Sequence, residues 1–512
     1  MFIKIGMLVV FFAVTIAIGL YCRRHSTDVN GFVLGGRSVG PWLTAFAYGT
    51  SYFSAVVFVG YAGQFGWKYG IAATWAGIGN ALLGSLMAWA FLGRRTRVMT
   101  QHLDSATMPQ FFESRFNSKA LKLAASAIIF IFLIPYTASL YNGLSRLFGM
   151  AFDIDYSVCV IVMAVLTGIY VIAGGYMATA INDFIQGIIM IGGIIAVIAA
   201  VLNSQGGFME ALNKLGQVSD PAVSETPGVF ASFFGPDPVG LLGVVILTSL
   251  GTWGLPQMVQ KFYAIKSEQA INKGMIISTI FAAIVAGGCY FLGGFGRLFQ
   301  VDVAKEGFDA VIPTMLSGLP TFLIAVVVVL VLAASMSTLS SLVLTSSSTL
   351  TLDFIKGNLV KKMDEKKQLL VMRALIVVFI LISVVLAIVQ YKSSVTFIAQ
   401  LMGVSWGALA GAFLAPFLFG LYWKKATRAS VWCSFAFSTV VMLANIFAKP
   451  LFPAILQSPI NAGAFCMIAG LIIVPVVSLL TPKMDKAYVD QVFSCYDRQV
   501  TVNVTDSIGD NK

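Results

Sequence analysis

Charge is what this chain of 512 residues has least of: Asp, Glu, Lys and Arg together make up 11%, less than half of the roughly 25% usual in soluble domains. Histidine occurs twice, at His25 and His102, both in polar connections between apolar runs. Helix-held haem and HExxH-type intramembrane proteolysis therefore have no residues to rest on. No GxxxxGK[ST] phosphate loop is present, which removes ATP-driven transport of the P-loop kind. The six cysteines (Cys22, Cys159, Cys289, Cys433, Cys466, Cys495) stand singly, so neither a disulfide framework nor a thiolate metal site is expected. Paired acids and nucleophile–base pairs are missing from the apolar runs, and no enzyme is expected.

What the chain has instead is apolar length. Hydrophobic residues make up 58% of it, with 48 Gly and 40 Phe, and the mean hydropathy is +0.88. Long runs of this kind, without dyad alternation, describe packed transmembrane helices and not a β-barrel. A span needs about 20 largely apolar residues. Thirteen stretches qualify, near residues 2–22, 41–62, 72–93, 119–148, 155–176, 180–202, 239–259, 272–298, 318–348, 369–390, 394–422, 428–448 and 460–481. The first lacks a small-residue cleavage signal and is followed by Arg23-Arg24, so it is read as a retained helix. The fold class is thus an all-α polytopic membrane protein. Residues 1–481 are expected to form one transmembrane domain and 482–512 a polar cytoplasmic tail, with no soluble catalytic or signalling domain.

The net charge of +11 does not point to nucleic acid, because the basic residues form short clusters between apolar runs. Assigning alternate loops to opposite sides puts 25 of the 33 basic residues on one side, including Arg94, Lys261, Lys266, Lys273 and Lys424. The 22 acids split 13 to 9. The positive-inside rule then orients the chain with its N-terminus outside and its C-terminus inside.

Two spans are interrupted by Gly, Pro and hydroxyl residues: the second at Ala47-Tyr48-Gly49-Thr50-Ser51-Tyr52-Phe53-Ser54, the seventh at Gly251-Thr252-Trp253-Gly254-Leu255-Pro256-Gln257. Broken helices in matching positions of two halves mark binding sites near the bilayer midplane. The seventh comes five spans after the second, so they enter from opposite sides. This predicts two inverted five-helix units, spans 2–6 (about 41–202) and 7–11 (about 239–422), with spans 1, 12 and 13 peripheral. The ninth span adds Ala334, Ser337 and Thr338, whose carbonyl and hydroxyl oxygens suit a hard cation such as sodium.

These residues resemble the sodium:solute symporter family (solute carrier 5-like), which includes bacterial proline and pantothenate carriers and animal sodium/glucose cotransporters. The stretches that carry the likeness are Leu34-Gly35-Gly36-Arg37-Ser38 before the second span, Ala178-Thr179-Ala180-Ile181-Asn182-Asp183 at the sixth, Ala333-Ala334-Ser335-Met336-Ser337-Thr338 in the ninth and Gly403-Val404-Ser405-Trp406-Gly407 in the eleventh. The bacterial sodium/proline branch is the nearest in pattern.

The resemblance implies a LeuT-like fold, a bacterial cytoplasmic membrane and sodium-coupled import of a small organic solute by alternating access. It implies no organic cofactor. The expected partners are lipid, sodium and solute, without nucleic acid or an obligatory protein. It places sodium at Thr50, Phe53, Ala334, Ser337 and Thr338, puts Asp183 on the inward cation path, and makes Arg37 and Pro256 gating or interface positions. Tyr52 stands where proline carriers have an acid. Ala55, Val56 and Val57 disfavour a sugar, leaving a zwitterion such as proline or a monocarboxylate. Candidate solute contacts are Ser54, Tyr136, Asn142, Trp253, Gln257 and Trp406. Two alternatives stay open: proton coupling through Asp183, and a non-transporting solute sensor.

Overall fold

The computed structural model describes residues 2–23, 27–152, 155–356, 358–360, 362–393 and 398–497. Arg24, His25, the opening of the eleventh predicted span (394–397) and residues 498–512 of the tail lie outside that set. Among the described residues there are helices and no strands.

Ten of the helices are long and apolar enough to cross a membrane, eleven when the bent pair Pro238–Gly254 and Pro256–Ala264 counts as one. Two of these are double-length. Tyr156–Ser204 has 49 residues, about 73 Å at 1.5 Å per residue, against a hydrocarbon core of about 30 Å. Its ladder is broken at Gly175 (φ 54°, ψ −147°), a conformation that glycine adopts readily and L side chains do not. The 47-residue stretch Val56–His102 contains a second left-handed glycine, Gly70 (φ 61°). Dividing both at these glycines gives thirteen segments, one at each predicted position.

We number them α1 (Phe2–Cys22), α2 (Pro41–Tyr52, then Val56–Tyr61 and Ala62–Tyr69), α3 (residues 74–102), α4 (Lys119–Phe152), α5 and α6 (the parts of Tyr156–Ser204 before and after Gly175), α7 (Pro238–Gly254, then Pro256–Ala264), α8 (Glu268–Gly293), α9 (Thr321–Thr349), α10 (Glu365–Ser393), α11 (Ile398–Tyr422), α12 (Arg428–Phe447) and α13 (Pro459–Leu480). Short helices join them, among them Phe208–Gln217 and Met108–Phe116, and Lys486–Phe493 lies in the tail.

Both broken helices fail in the same way. In α2, Phe53 is extended (φ −79°, ψ 119°) and its N–H donates to Gly49 O. In α7, Leu255 is extended (φ −78°, ψ 124°) and its N–H donates to Gly251 O. Pro256 then starts the second half of α7 at a position where its missing N–H costs nothing. The start of α2 and the end of α7 sit together. Val39 N donates to Ala264 O at 3.2 Å and Lys266 N to Val39 O at 2.9 Å. A helix that begins where the other ends runs the opposite way, as two inverted repeats require.

At the centre is α9, in which every residue from Val327 to Thr349 is buried. That explains its mixed sequence: apolar side chains pack on all sides, while hydroxyls such as those of Ser335, Ser340 and Ser348 find carbonyls within the protein. Peripheral helices show the opposite pattern. Val9, Val10 and Leu20 of α1, Leu381 and Val385 of α10, and Val440 of α12 are exposed, forming apolar flanks suited to lipid.

Candidate functional site

The α2 break leaves the last carbonyls of its first half without partners in the helix. Two of them are turned toward α9. Thr338 Oγ1 lies 3.0 Å from Thr50 O, 3.2 Å from Phe53 O and 3.2 Å from Ala334 O. Ser337 Oγ lies 3.1 Å from Thr50 O and 2.9 Å from Ala334 O. The five positions singled out from sequence therefore converge as five oxygens, all from buried residues. Two hydroxyl protons cannot serve five oxygen–oxygen approaches at once. The surplus of inward-turned lone pairs is the chemistry a small hard cation satisfies.

Next to this cage lies an aromatic cluster. Trp406 of α11 is fully buried, with ring centroids 5.6 Å from Tyr52 and 5.9 Å from Tyr136. It also covers Gly251, where a Cβ would come within 2.5 Å of the indole. Tyr52 is held by Asn80 Nδ2 at 2.5 Å and by the Tyr290 hydroxyl at 3.1 Å. Tyr52 is thus a phenol tied to α3 and α8. A cavity of about 20 Å³ lies behind it, lined in part by Asn80, Ser85, Thr252 and Ser278, with room for about one water. Gln257, just beyond the α7 break, is buried, and neither its amide oxygen nor its nitrogen has a hydrogen-bond partner among the described residues.

Other sequence candidates point elsewhere. Trp253 donates from Nε1 to Leu83 O at 2.8 Å and packs on Phe91, so it ties α7 to α3. Asn142 accepts from the Tyr156 hydroxyl, a bond between α4 and α5. Ser54 Oγ accepts from Val56 N at 3.2 Å, capping the second half of α2.

Asp183 lies eight residues past the Gly175 break, fully buried on α6 and 3.9 Å from Lys261 Nζ. Lys261, counted above as a loop charge, is the main correction: it lies in the second half of α7 and is 2% exposed. Its Nζ donates to Ser341 Oγ at 3.0 Å, and Ser341 Oγ is 2.9 Å from Ser51 Oγ.

Arg37 stands in a left-handed turn (φ 54°). Its guanidinium donates to Ser105 O at 2.6 Å and Tyr263 O at 3.2 Å, joining the lead-in to α2, the loop after α3 and the end of α7. Burial, with Arg97 nearby, draws its pKa below the usual arginine value.

The sodium:solute symporter family model matches residues 32–435. Over 500 residues the chain is 31% identical to a sodium/proline symporter of Staphylococcus aureus, covering 94% of this chain and 92% of that protein. The chain belongs to the sodium:solute symporter family. Its fold matches that of a Na+-coupled sialic acid symporter in a substrate-bound outward-open state, with a TM-score of 0.71 at 17% identity, covering 95% of this chain and 99% of the other. An Eremococcus coleocola manganese transporter superposes with a TM-score of 0.51 at 12% identity, over 89% and 96% of the two chains. The symporter is accordingly a LeuT-like, multi-span secondary transporter of the cell membrane, not an enzyme, and sodium is its coupling ion.

Proposed function

We propose that this symporter imports a small zwitterion, with proline first among those to test, and that the coupling sodium binds at Thr50 O, Phe53 O, Ala334 O, Ser337 Oγ and Thr338 Oγ1. The observation that carries the sodium assignment is the convergence of those five oxygens from two helices, one of them broken at that point. The 31% identity with a sodium/proline symporter supports the solute. So do the aromatic walls of Tyr52, Tyr136 and Trp406, which suit a compact apolar ring. The half-helix N-termini after Phe53 and Leu255 favour a carboxylate, because the positive end of each half-helix dipole lies there. Gln257 offers an unpaired amide beside one of them. A monocarboxylate fits the same termini and belongs in the test.

In this reading sodium binds first from outside, joins α2 to α9 and so completes the solute site. The loaded protein then favours an inward-facing arrangement, and low cytosolic sodium lets the ion leave. One charge moving down 100 mV supplies about 2.3 kcal/mol before any concentration term. The loop charges favour an external N-terminus and an internal C-terminus.

The experiment is uptake into reconstituted vesicles under an imposed sodium gradient, with labelled proline, other amino acids and monocarboxylates. Saturable proline uptake that stops when sodium is replaced by choline is expected. Uptake that persists without sodium and collapses with a protonophore would transfer the coupling role to a proton on Asp183. Solute binding without flux would leave only a sensor.

A further inference from the structure

The carboxylate of Asp183 accepts no hydrogen bond among the described residues, although it is fully buried. An isolated charge in such a place is strongly disfavoured unless a cation compensates it. The compensating group here is Lys261 Nζ, 3.9 Å from Oδ2. That ammonium also donates to Ser341 Oγ at 3.0 Å and stands 5.0 Å from the centre of the Tyr176 ring. Ser341 lies one helical turn beyond Ser337 on α9, and its hydroxyl touches that of Ser51, the residue after Thr50. A carboxylate from α6 and a hydroxyl from α9 thus flank the ammonium, with the Ser51 hydroxyl of α2 behind that of Ser341, a turn away from the candidate sodium cage. These are donors that a small monovalent cation would take, and a lysine side chain reaches into them.

We propose that Lys261 is a tethered cation: its ammonium fills a second cation position, made by Asp183 and Ser341 with Ser51 behind it, and thereby holds the coupling at one sodium ion per transport cycle. The proposal rests on the sodium cage described under the proposed function. Lysine can do this because its ammonium is a compact point charge on a flexible stem. Since the charge is carried on α7, it moves with the broken helix and adds nothing to the sodium count. Removing the ammonium leaves Asp183 open to an ion from solution. Removing the carboxylate instead leaves a bare ammonium about one helical turn from the cage, where it repels sodium.

The test is equilibrium binding of radioactive sodium to the purified full-length protein in nanodiscs, which requires no knowledge of the solute. The wild type is expected to bind one sodium with a Hill slope near one. Lys261→Gln should bind a second, with the slope rising toward two. Asp183→Asn should weaken sodium binding by about tenfold or more, by Coulomb repulsion across a few ångströms. The double variant Asp183→Asn/Lys261→Gln should return to one site and recover most of the lost affinity. A wild type that already binds two ions, an unchanged slope in Lys261→Gln, or a double variant as weak as Asp183→Asn would overturn the proposal. If Lys261→Gln does not fold, the comparison of Asp183→Asn with the double variant still decides. Failure of the cage itself reads differently: wild-type binding would then survive Ser337→Ala with Thr338→Ala.

Discussion

Phe53 and Leu255 occupy equivalent places in the two halves of the molecule. Both are extended, their φ values differ by 1° and their ψ values by 5°, and each donates its N–H to a glycine four residues earlier. The glycines allow close packing beside each break. A Cβ at Gly49 would lie 2.3 Å from the Phe281 ring, and one at Gly251 would lie 2.5 Å from Trp406.

Gly49→Ala and Gly251→Ala should each cost about 1–3 kcal/mol through overpacking and reduce uptake more than they reduce the amount of folded protein. Thermal unfolding in detergent and uptake per folded molecule check this. Gly192→Ala, where no neighbour lies within 4 Å of the new carbon, is the control that should change neither.

Ser337→Ala and Thr338→Ala should each raise the sodium concentration for half-maximal uptake by about tenfold or more, since a hydroxyl's bond to a charged group is worth roughly 1.5–3 kcal/mol. Thr338→Ser keeps the oxygen and should stay near wild type. Sodium titrations of initial uptake rates give the answer, and unchanged titrations in both alanine variants would reject the cage.

Tyr52→Phe removes the oxygen that Asn80 and Tyr290 bond. Each buried group left without a partner costs about 1–3 kcal/mol, so this variant should melt earlier. Adding Tyr290→Phe should cost less than the sum of the two single changes, because the second removes a group that the first has already orphaned. A double-mutant cycle on unfolding midpoints measures the difference.

Asp353, beyond the end of α9, accepts from Thr107 Oγ1 at 2.6 Å and from Gln110 Nε2 at 2.8 Å, and Thr107 caps the helix Met108–Phe116. Asp353→Ala should loosen that helix. Proteolysis between residues 103 and 118 should be faster than in the wild type, with Asp353→Asn in between because its amide oxygen still accepts one bond.

Sequence reading reached the two breaks because helix-breaking glycine and proline sit beside hydroxyls inside otherwise apolar runs. It singled out the candidate oxygens of α9 because Ser337 and Thr338 share one turn with Ala334. The tie between Tyr52, Asn80 and Tyr290 was not legible, since those residues are 28 and 238 positions apart. The direction of Trp253 depends on the 45° bend between the halves of α7, which composition does not set. Lys261 was misread for a physical reason: a lysine close to the end of an apolar run ordinarily anchors that end in water, and only the fold reveals a carboxylate waiting inside. The tail helix Lys486–Phe493 was missed because its apolar contacts, Val489, Val492 and Phe493, are few and closely spaced.

The enclosure of α9 from Val327 onward bears on the pace of turnover. The hydroxyls from Ser335 to Thr349 are buried, so swinging one side chain aside would not hydrate an ion held there. Water arrives only when whole neighbouring rods tilt away, a collective displacement that takes microseconds to milliseconds. The catalytic clock of this carrier is then mechanical, and drugs or lipids that stiffen the outer rods would slow it without touching the cation's ligands.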